Sequence, residues 1–148
     1  MATWNPATGA PVSRSVPSHG LKGTQKQESA VVALTTALAL NDVINFFYLP
    51  MGATIRGASL RASTPLDTNG SPTLTIDVGY TGSTAAIYSQ SLAGSSATGS
   101  DGNPLFAELD VQLTADTLIF ATVHAAGATK AAGSLRLKID YTVDGLVS

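Results

Sequence analysis

The chain has 148 residues, 44% of them hydrophobic and 12% charged, with a net charge of −2 and no cysteine. That length fits one ordinary domain able to bury a core unaided, and the missing thiol excludes a disulfide scaffold, a zinc ribbon and a cysteine nucleophile. A charged share about half that of an average soluble domain predicts that further surface is buried against a partner.

The opening stretch, MATWNPATGA, has no basic stretch followed by an apolar run, and nowhere does the chain approach the roughly 18 apolar residues of a membrane span. Neither an export leader nor a bilayer span is expected. Residues 1–28 hold Pro6, Pro11 and Pro17 among Gly, Ser, Thr and Gln, without a period of 2.0 or 3.6. The expectation is an extended N-terminal arm over 1–28 and a folded domain over 29–148, with a tail unordered in the free protein as the other reading. Residues 1–27 carry Arg14, Lys22 and Lys26 and no acid, whereas all 10 acids lie beyond them, so a segment of +3 precedes a body of −5. Three cations over such a length are sparse for nucleic acid. A protein surface is the expected target, reached by Arg14, Lys22 and Lys26, with Trp4, the only tryptophan, as an aromatic anchor. Fully extended, the arm could span about 90 Å.

From Ser29 onward, short apolar runs alternate with turn residues, the pattern of an all-β domain. Ala30–Thr36, Val43–Leu49 and Ala53–Ala62 are predicted strands, separated by the turn signals Asn41-Asp42 and Pro50-Met51-Gly52. The Ala and Leu content of Ala30–Leu40 favours helix, but Val31, Val32, Thr35 and Thr36 argue for strand. Pro72–Tyr80 alternates strictly, with Leu74, Ile76, Val78 and Tyr80 on one face. Further strands are expected at Ala85–Ser89, at Leu105–Leu113, and at Thr117–Val123, which is apolar on both parities as if covered on both faces. The last, Leu135–Val143, sets Leu135, Leu137, Ile139, Tyr141 and Val143 against Arg136, Lys138, Asp140 and Thr142. Eight strands are compatible with an antiparallel β-sandwich or a jelly-roll-like barrel. The polar stretches 63–71 and 93–104, with Asn69-Gly70 and Asp101-Gly102, are expected surface loops.

Phe46, Phe47 and Tyr48 are consecutive, so strict alternation sends at least one of them away from the core. These three are candidates for an oligomer interface, with cover by the arm or a loop as the alternative. The two histidines, His19 and His124, lie in unrelated local settings and form no ligand motif. Asp67-Thr68-Asn69-Gly70 and Asp101-Gly102-Asn103 offer oxygens to a cation, but turn chemistry explains them equally well and neither has the spacing of a known calcium loop. Glu108 and Asp110 share one face of their predicted strand and are expected to be solvated rather than a glycosidase pair. With no nucleophile elbow, phosphate loop or dinucleotide fingerprint, no catalytic residue, cofactor or metal is expected.

The runs Leu40-Asn41-Asp42-Val43-Ile44, Leu49-Pro50-Met51-Gly52-Ala53-Thr54-Ile55, Leu66-Asp67-Thr68-Asn69-Gly70-Ser71-Pro72-Thr73-Leu74 and Asp77-Val78-Gly79, echoed by Tyr141-Thr142-Val143-Asp144, resemble small structural proteins of tailed-phage genomes. Several of these are head decoration, or cement, proteins. The resemblance spans Val31 to Tyr80 and does not extend to the arm. It implies a non-enzymatic sandwich on the outer capsid surface of a virion, made in the bacterial cytoplasm. It also implies a homo-oligomer, commonly a trimer, that ties neighbouring major capsid protein subunits together against internal DNA pressure. Arms reaching across subunit boundaries would bind with avidity. Competing expectations are a fibre or carbohydrate-binding module for host recognition, a tail or neck component, and, least supported, a small hydrolase.

Overall fold

The computed structural model describes residues 1–6, 25–92 and 112–143. These form eight strands and no helix: β1 (Thr3–Trp4), β2 (Gln25–Leu34), β3 (Val43–Leu49), β4 (Ala53–Ala62), β5 (Thr75–Tyr80), β6 (Ser83–Ser91), β7 (Thr117–Ala125) and β8 (Gly133–Val143). They make two sheets, a larger one ordered β1-β3-β7-β5-β6 and a smaller one ordered β2-β8-β4. Every neighbouring pair is antiparallel except β1 with β3. The chain is therefore all-β, and its two sheets bury a common core as a sandwich.

Alternation builds that core. Along β8, Leu135, Leu137, Ile139 and Tyr141 are buried, while Arg136, Lys138, Asp140 and Thr142 lie on the opposite parity. Across from them stand Ile76 and Val78 of β5 and Ile119, Ala121 and Val123 of β7, all in the same hydrophobic cluster. Leu118, Phe120 and Thr122 on the other parity of β7 are half-buried. A continuous apolar run had suggested full cover on both faces; the outward residues instead lie on a broad sheet face that the described residues cover only in part.

Strand boundaries differ from the sequence expectation where polar groups decide them. β2 starts at Gln25 rather than Ala30 and ends at Leu34, because its ten residues pair in unbroken register with β8 from Gln25 opposite Thr142 to Leu34 opposite Gly133. Its first turn of pattern is masked by Lys26 and Glu28, polar residues on the inward parity. β5 starts at Thr75 rather than Pro72, since the backbone N–H groups of Thr73 and Leu74 donate to the Asp67 carboxylate instead of a ladder. β6 is longer than Ala85–Ser89, and β7 and β8 gain residues at their ends. Most of the strand expected at Leu105–Leu113 lies outside the described residues. Its last two residues hold the edge of β4, with Gln112 bridging Thr54 and Leu113 N–H donating to the Ala53 carbonyl at 2.8 Å. β1 had no counterpart in the sequence reading.

The turns follow their residues. Asn41 has a φ of 66° in the Asn41-Asp42 turn, and Gly52 one of 85° after Pro50-Met51. Between β5 and β6, Tyr80 pairs with Ser83 around Thr81-Gly82. A side chain at Gly79 would start 2.1 Å from the Ser83 carbonyl oxygen, so only glycine admits this return of the chain.

Candidate functional site

Trp4, the expected anchor for a partner, packs half-buried against the chain's own core, in β1 beside Val43 and Ile44 of β3. A buried acid holds it there. Asp42 accepts the Ala2 N–H at 2.6 Å on one oxygen and the Ala39 N–H at 2.9 Å on the other. Val43 N–H donates back to the Ala2 carbonyl at 2.8 Å. Burial pushes the Asp42 carboxyl up, but these two N–H donors and the nearby positive charges outweigh it and hold the group below its usual range. Arg14, Lys22 and His19 lie outside the described residues. Lys26 sits half-buried in β2 opposite Tyr141.

The three consecutive aromatics divide unequally. Phe46 and Phe47 are both buried in the core, because the β3–β7 register shifts between Asn45 and Phe47, and this bulge turns two adjacent side chains inward. Tyr48 remains half-buried on the outer face, directly opposite Leu118. One strand pair further along that face, Phe120 lies between Asn45 and the side-chain-free Gly79. Tyr48, Leu118 and Phe120 thus form an apolar strip on the outside of the larger sheet. Tyr48 also lines an open groove of about 550 Å³ with Tyr80, Gln112, Asp116 and Leu118. Its polar groups serve the fold: Asp116 accepts the Met51 N–H at 3.0 Å, and Gln112 Nε2 donates to the Gly52 carbonyl at 3.4 Å.

Asp67, considered above as a cation ligand, is a structural clamp. It is 1% exposed and accepts five backbone N–H groups: Asn69 and Thr129 on Oδ1, Thr73, Leu74 and Ala128 on Oδ2, at 2.8–3.2 Å. Burial raises the carboxyl, and the N–H donors of Thr129, Thr73, Asn69 and Ala128 overcome that penalty and hold it well below the usual carboxylate range. Donors converging on both oxygens leave no room for a cation. The residues pinned are the loop 67–74 and the loop 126–131, whose other ties include Thr68 N–H to the Thr129 carbonyl and Thr73 Oγ1 to the Ala126 carbonyl. The sequence signal for this clamp was the Asp-Thr-Asn-Gly turn; its five-donor environment comes from a second loop some 60 residues away.

His124 is not isolated. Its Nδ1 lies 3.0 Å from Oδ2 of Asp77, whose other oxygen accepts the Gln90 N–H at 2.6 Å. Gln90 has a φ of 51°, so Asp77 fixes an irregularity in β6 as well as orienting the ring. Among the described residues no three His, Cys, Asp or Glu side chains gather into a metal-binding group. Asp101, Glu108 and Asp110 lie outside the described residues.

The outer face of the smaller sheet has a distinct charge. Arg61 of β4 and Arg136 of β8 stand directly opposite each other, with Val31 of β2 completing the row. Lys138 follows in the next row, Asp140 in the one after, and Arg56 reaches the same face through Nε to Thr142 Oγ1 at 3.4 Å.

No family model and no curated protein matches the chain. Solved structures do. A chain in the cyanophage Pam1 capsid asymmetric unit is 31% identical, with a TM-score of 0.75, over 94% of this chain and 99% of that one. A chain in the capsid of Ralstonia phage GP4 is 25% identical, with a TM-score of 0.74, over 89% and 92%. The acid-stable capsid of Helicobacter pylori bacteriophage KHP30 contains a chain of the same fold, at 18% identity and a TM-score of 0.58, over 83% and 90%. With nearly a third of its residues shared along almost the full length of both chains, the protein belongs to the family of the Pam1 capsid chain, a family of bacteriophage capsid components.

Proposed function

We propose that this virion protein is a decoration, or cement, protein, which sits on the outer surface of the phage head and bridges neighbouring subunits of the major capsid protein. The observation that carries the reading is the extent of the Pam1 match: 99% of that capsid chain is covered by a sandwich of this size. A chain of these dimensions therefore serves there as a whole component of the capsid rather than as one domain of a larger subunit. The role is mechanical and not enzymatic. The low charged share of 12% and the strip of Tyr48, Leu118 and Phe120 support a homo-oligomer, a trimer in the resembling proteins, that packs copies through the larger sheet. Residues 5–24, between β1 and β2, supply the capsid-reaching arm, with Arg14 and Lys22 as its cations, while Lys26 lies in β2 of the body. Trp4 serves that arm by pinning its start to the body, since the indole is packed on the chain's own core.

Heads assembled without the protein test this directly. Purified protein should co-sediment with them to saturation and raise the fraction that survives heating. Absence of association would reject the cement role in favour of a tail, neck or fibre position. Removal of residues 5–24, keeping β1 joined to β2 by a short flexible linker, should weaken binding to heads about tenfold or more; unchanged binding would reject the arm mechanism.

A second reading, a fibre or glycan-binding module, is favoured by the groove between Tyr48 and Tyr80. Specific retention on a glycan array, lost in Tyr80→Ala, would select it.

A further inference from the structure

Of the chain's five asparagines, Asn69 alone precedes a glycine. An asparagine cyclises when the amide nitrogen of the next residue attacks its side-chain carbonyl carbon, and each of the other four is hindered at that step. Asn5 and Asn103 precede Pro6 and Pro104, which have no N–H to give up. Asn41 precedes Asp42, whose N–H donates to the Ala39 carbonyl at 3.1 Å. Asn45 precedes Phe46, a bulky residue buried within β3.

At Asn69 those obstacles are absent. Asn69, Gly70 and Ser71 are all exposed in the loop 67–74, and a Cβ built on Gly70 would meet nothing within 4 Å. Among the described residues, no acceptor holds the Gly70 N–H. The group it would attack is oriented as well. Asn69 Oδ1 accepts the Ser71 N–H at 2.9 Å, and because a backbone N–H can only donate, this contact fixes which amide atom is the oxygen. A donor on that oxygen draws electrons from Cγ and stabilises the oxyanion that forms there on attack. The future leaving group, Nδ2, lies 3.2 Å from Thr129 Oγ1, and the Asn69 N–H is held at 3.2 Å by Asp67 Oδ1.

We infer that Asn69-Gly70 is a site of spontaneous covalent modification, at which the asparagine amide is exchanged for a carboxylate and the loop around Asp67 loosens as the protein ages. The Gly70 nitrogen gives its proton to hydroxide and bonds to Asn69 Cγ. The Cγ–Nδ2 bond then breaks, and Nδ2 leaves as ammonia with a proton from water, closing a succinimide. Water opens the ring at either carbonyl: at Cγ it restores the main chain as aspartate, and at the Asn69 main-chain carbonyl it leaves the chain running through Cγ as isoaspartate. The only co-reactants are water and hydroxide, and nothing is oxidised or reduced. Both products lose the Nδ2 donor to Thr129 and set a new negative charge two residues from Asp67, whose buried carboxylate already holds five N–H groups. Isoaspartate also lengthens the main chain by a carbon inside that clamp.

The experiment incubates the full-length protein and its Gly70→Ala variant at pH 7 and pH 9, folded and in urea. Peptides spanning residue 69 are followed by mass spectrometry, and isoaspartate is detected by enzymatic methylation of its free carboxylate. The folded parent should gain a carboxylate at residue 69 before any other asparagine converts, about tenfold or more faster at pH 9 than at pH 7, because the attacking nitrogen must shed its proton. Its rate should lie within about tenfold of the chain in urea, and Gly70→Ala should slow it by about tenfold or more. Asn69→Asp, which makes one product directly, should melt a few degrees below the parent. If the folded parent converts more slowly than that margin while the chain in urea converts, the loop protects Asn69 and the inference is overturned. Equal conversion in Gly70→Ala would overturn the assignment of the nucleophile, and an Asn69→Asp midpoint equal to the parent's would overturn the loosening of the loop.

Discussion

Two buried carboxylates, Asp42 and Asp67, show how single residues organise loops that lack ladders of their own. A charged acceptor taken out of water survives only when donors converge on it, and each of these receives backbone N–H groups from segments distant in sequence. Asp67→Asn keeps the size but turns an NH₂ toward the N–H groups it must satisfy, and should cost roughly 2–4 kcal/mol in urea unfolding. The same residue sets a pH dependence. Its carboxyl is more acidic in the folded chain than in the unfolded one, so unfolding takes up a proton in acid. The stabilisation is complete above the ordinary carboxylate range near pH 4 and is lost progressively as pH falls toward the folded value. Urea midpoints measured from pH 6 down to pH 2 should fall steeply for the parent and less steeply for Asp67→Asn. The Asp-Thr-Asn-Gly run announced a turn and an acid, but the sequence could not show that Ala128 and Thr129 would supply donors from another loop.

Among the elements, β1 and the β5–β6 hairpin depend on contacts that pattern alone does not reveal. β1 is two residues long and too short for any periodicity, so its docking rests on the Asp42 clasp and on Trp4. Asp42→Ala should release it: emission from Trp4, the only tryptophan, should shift to the red while the far-ultraviolet β signal is retained. An unshifted spectrum would mean that apolar packing alone holds the strand. At the hairpin, Gly79→Ala meets backbone rather than a yielding side chain, and should lower stability by roughly 2–3 kcal/mol, read as a lower thermal midpoint. Periodicity and turn signals located seven of the eight strands among the described residues, β2 to β8, because their inner faces are largely apolar. It misplaced the start of β2, where Lys26 and Glu28 occupy the inward parity near the sheet's end.

Across the whole molecule, the two sheets present surfaces of different chemistry. The larger carries the strip of Tyr48, Leu118 and Phe120 outward, and the smaller carries the cations. If copies associate through the larger sheet, Phe120→Glu should shift the protein to monomer in sedimentation velocity while leaving its thermal midpoint within a few degrees, since Phe120 lies outside the core. An unchanged sedimentation coefficient would remove that strip from the interface.

The sequence by itself determined the all-β class, the paired apolar faces of β5 and β8, the turns at Asn41 and Gly52, and the resemblance to phage structural proteins. These are local properties, written in alternation and in turn residues that accept a positive φ. Tertiary structure decided the rest. A bulge opposite β7 sent both Phe46 and Phe47 inward where alternation would have exposed one, and Trp4 was brought onto its own core by an acid 38 residues further along the chain. Arg61 and Arg136 stand opposite each other only because β4 and β8, adjacent in the sheet but with β5, β6 and β7 between them in the chain, align in register from Gly57 to Ala62. Register between distant strands is set by the common core they bury, and no local pattern carries that information.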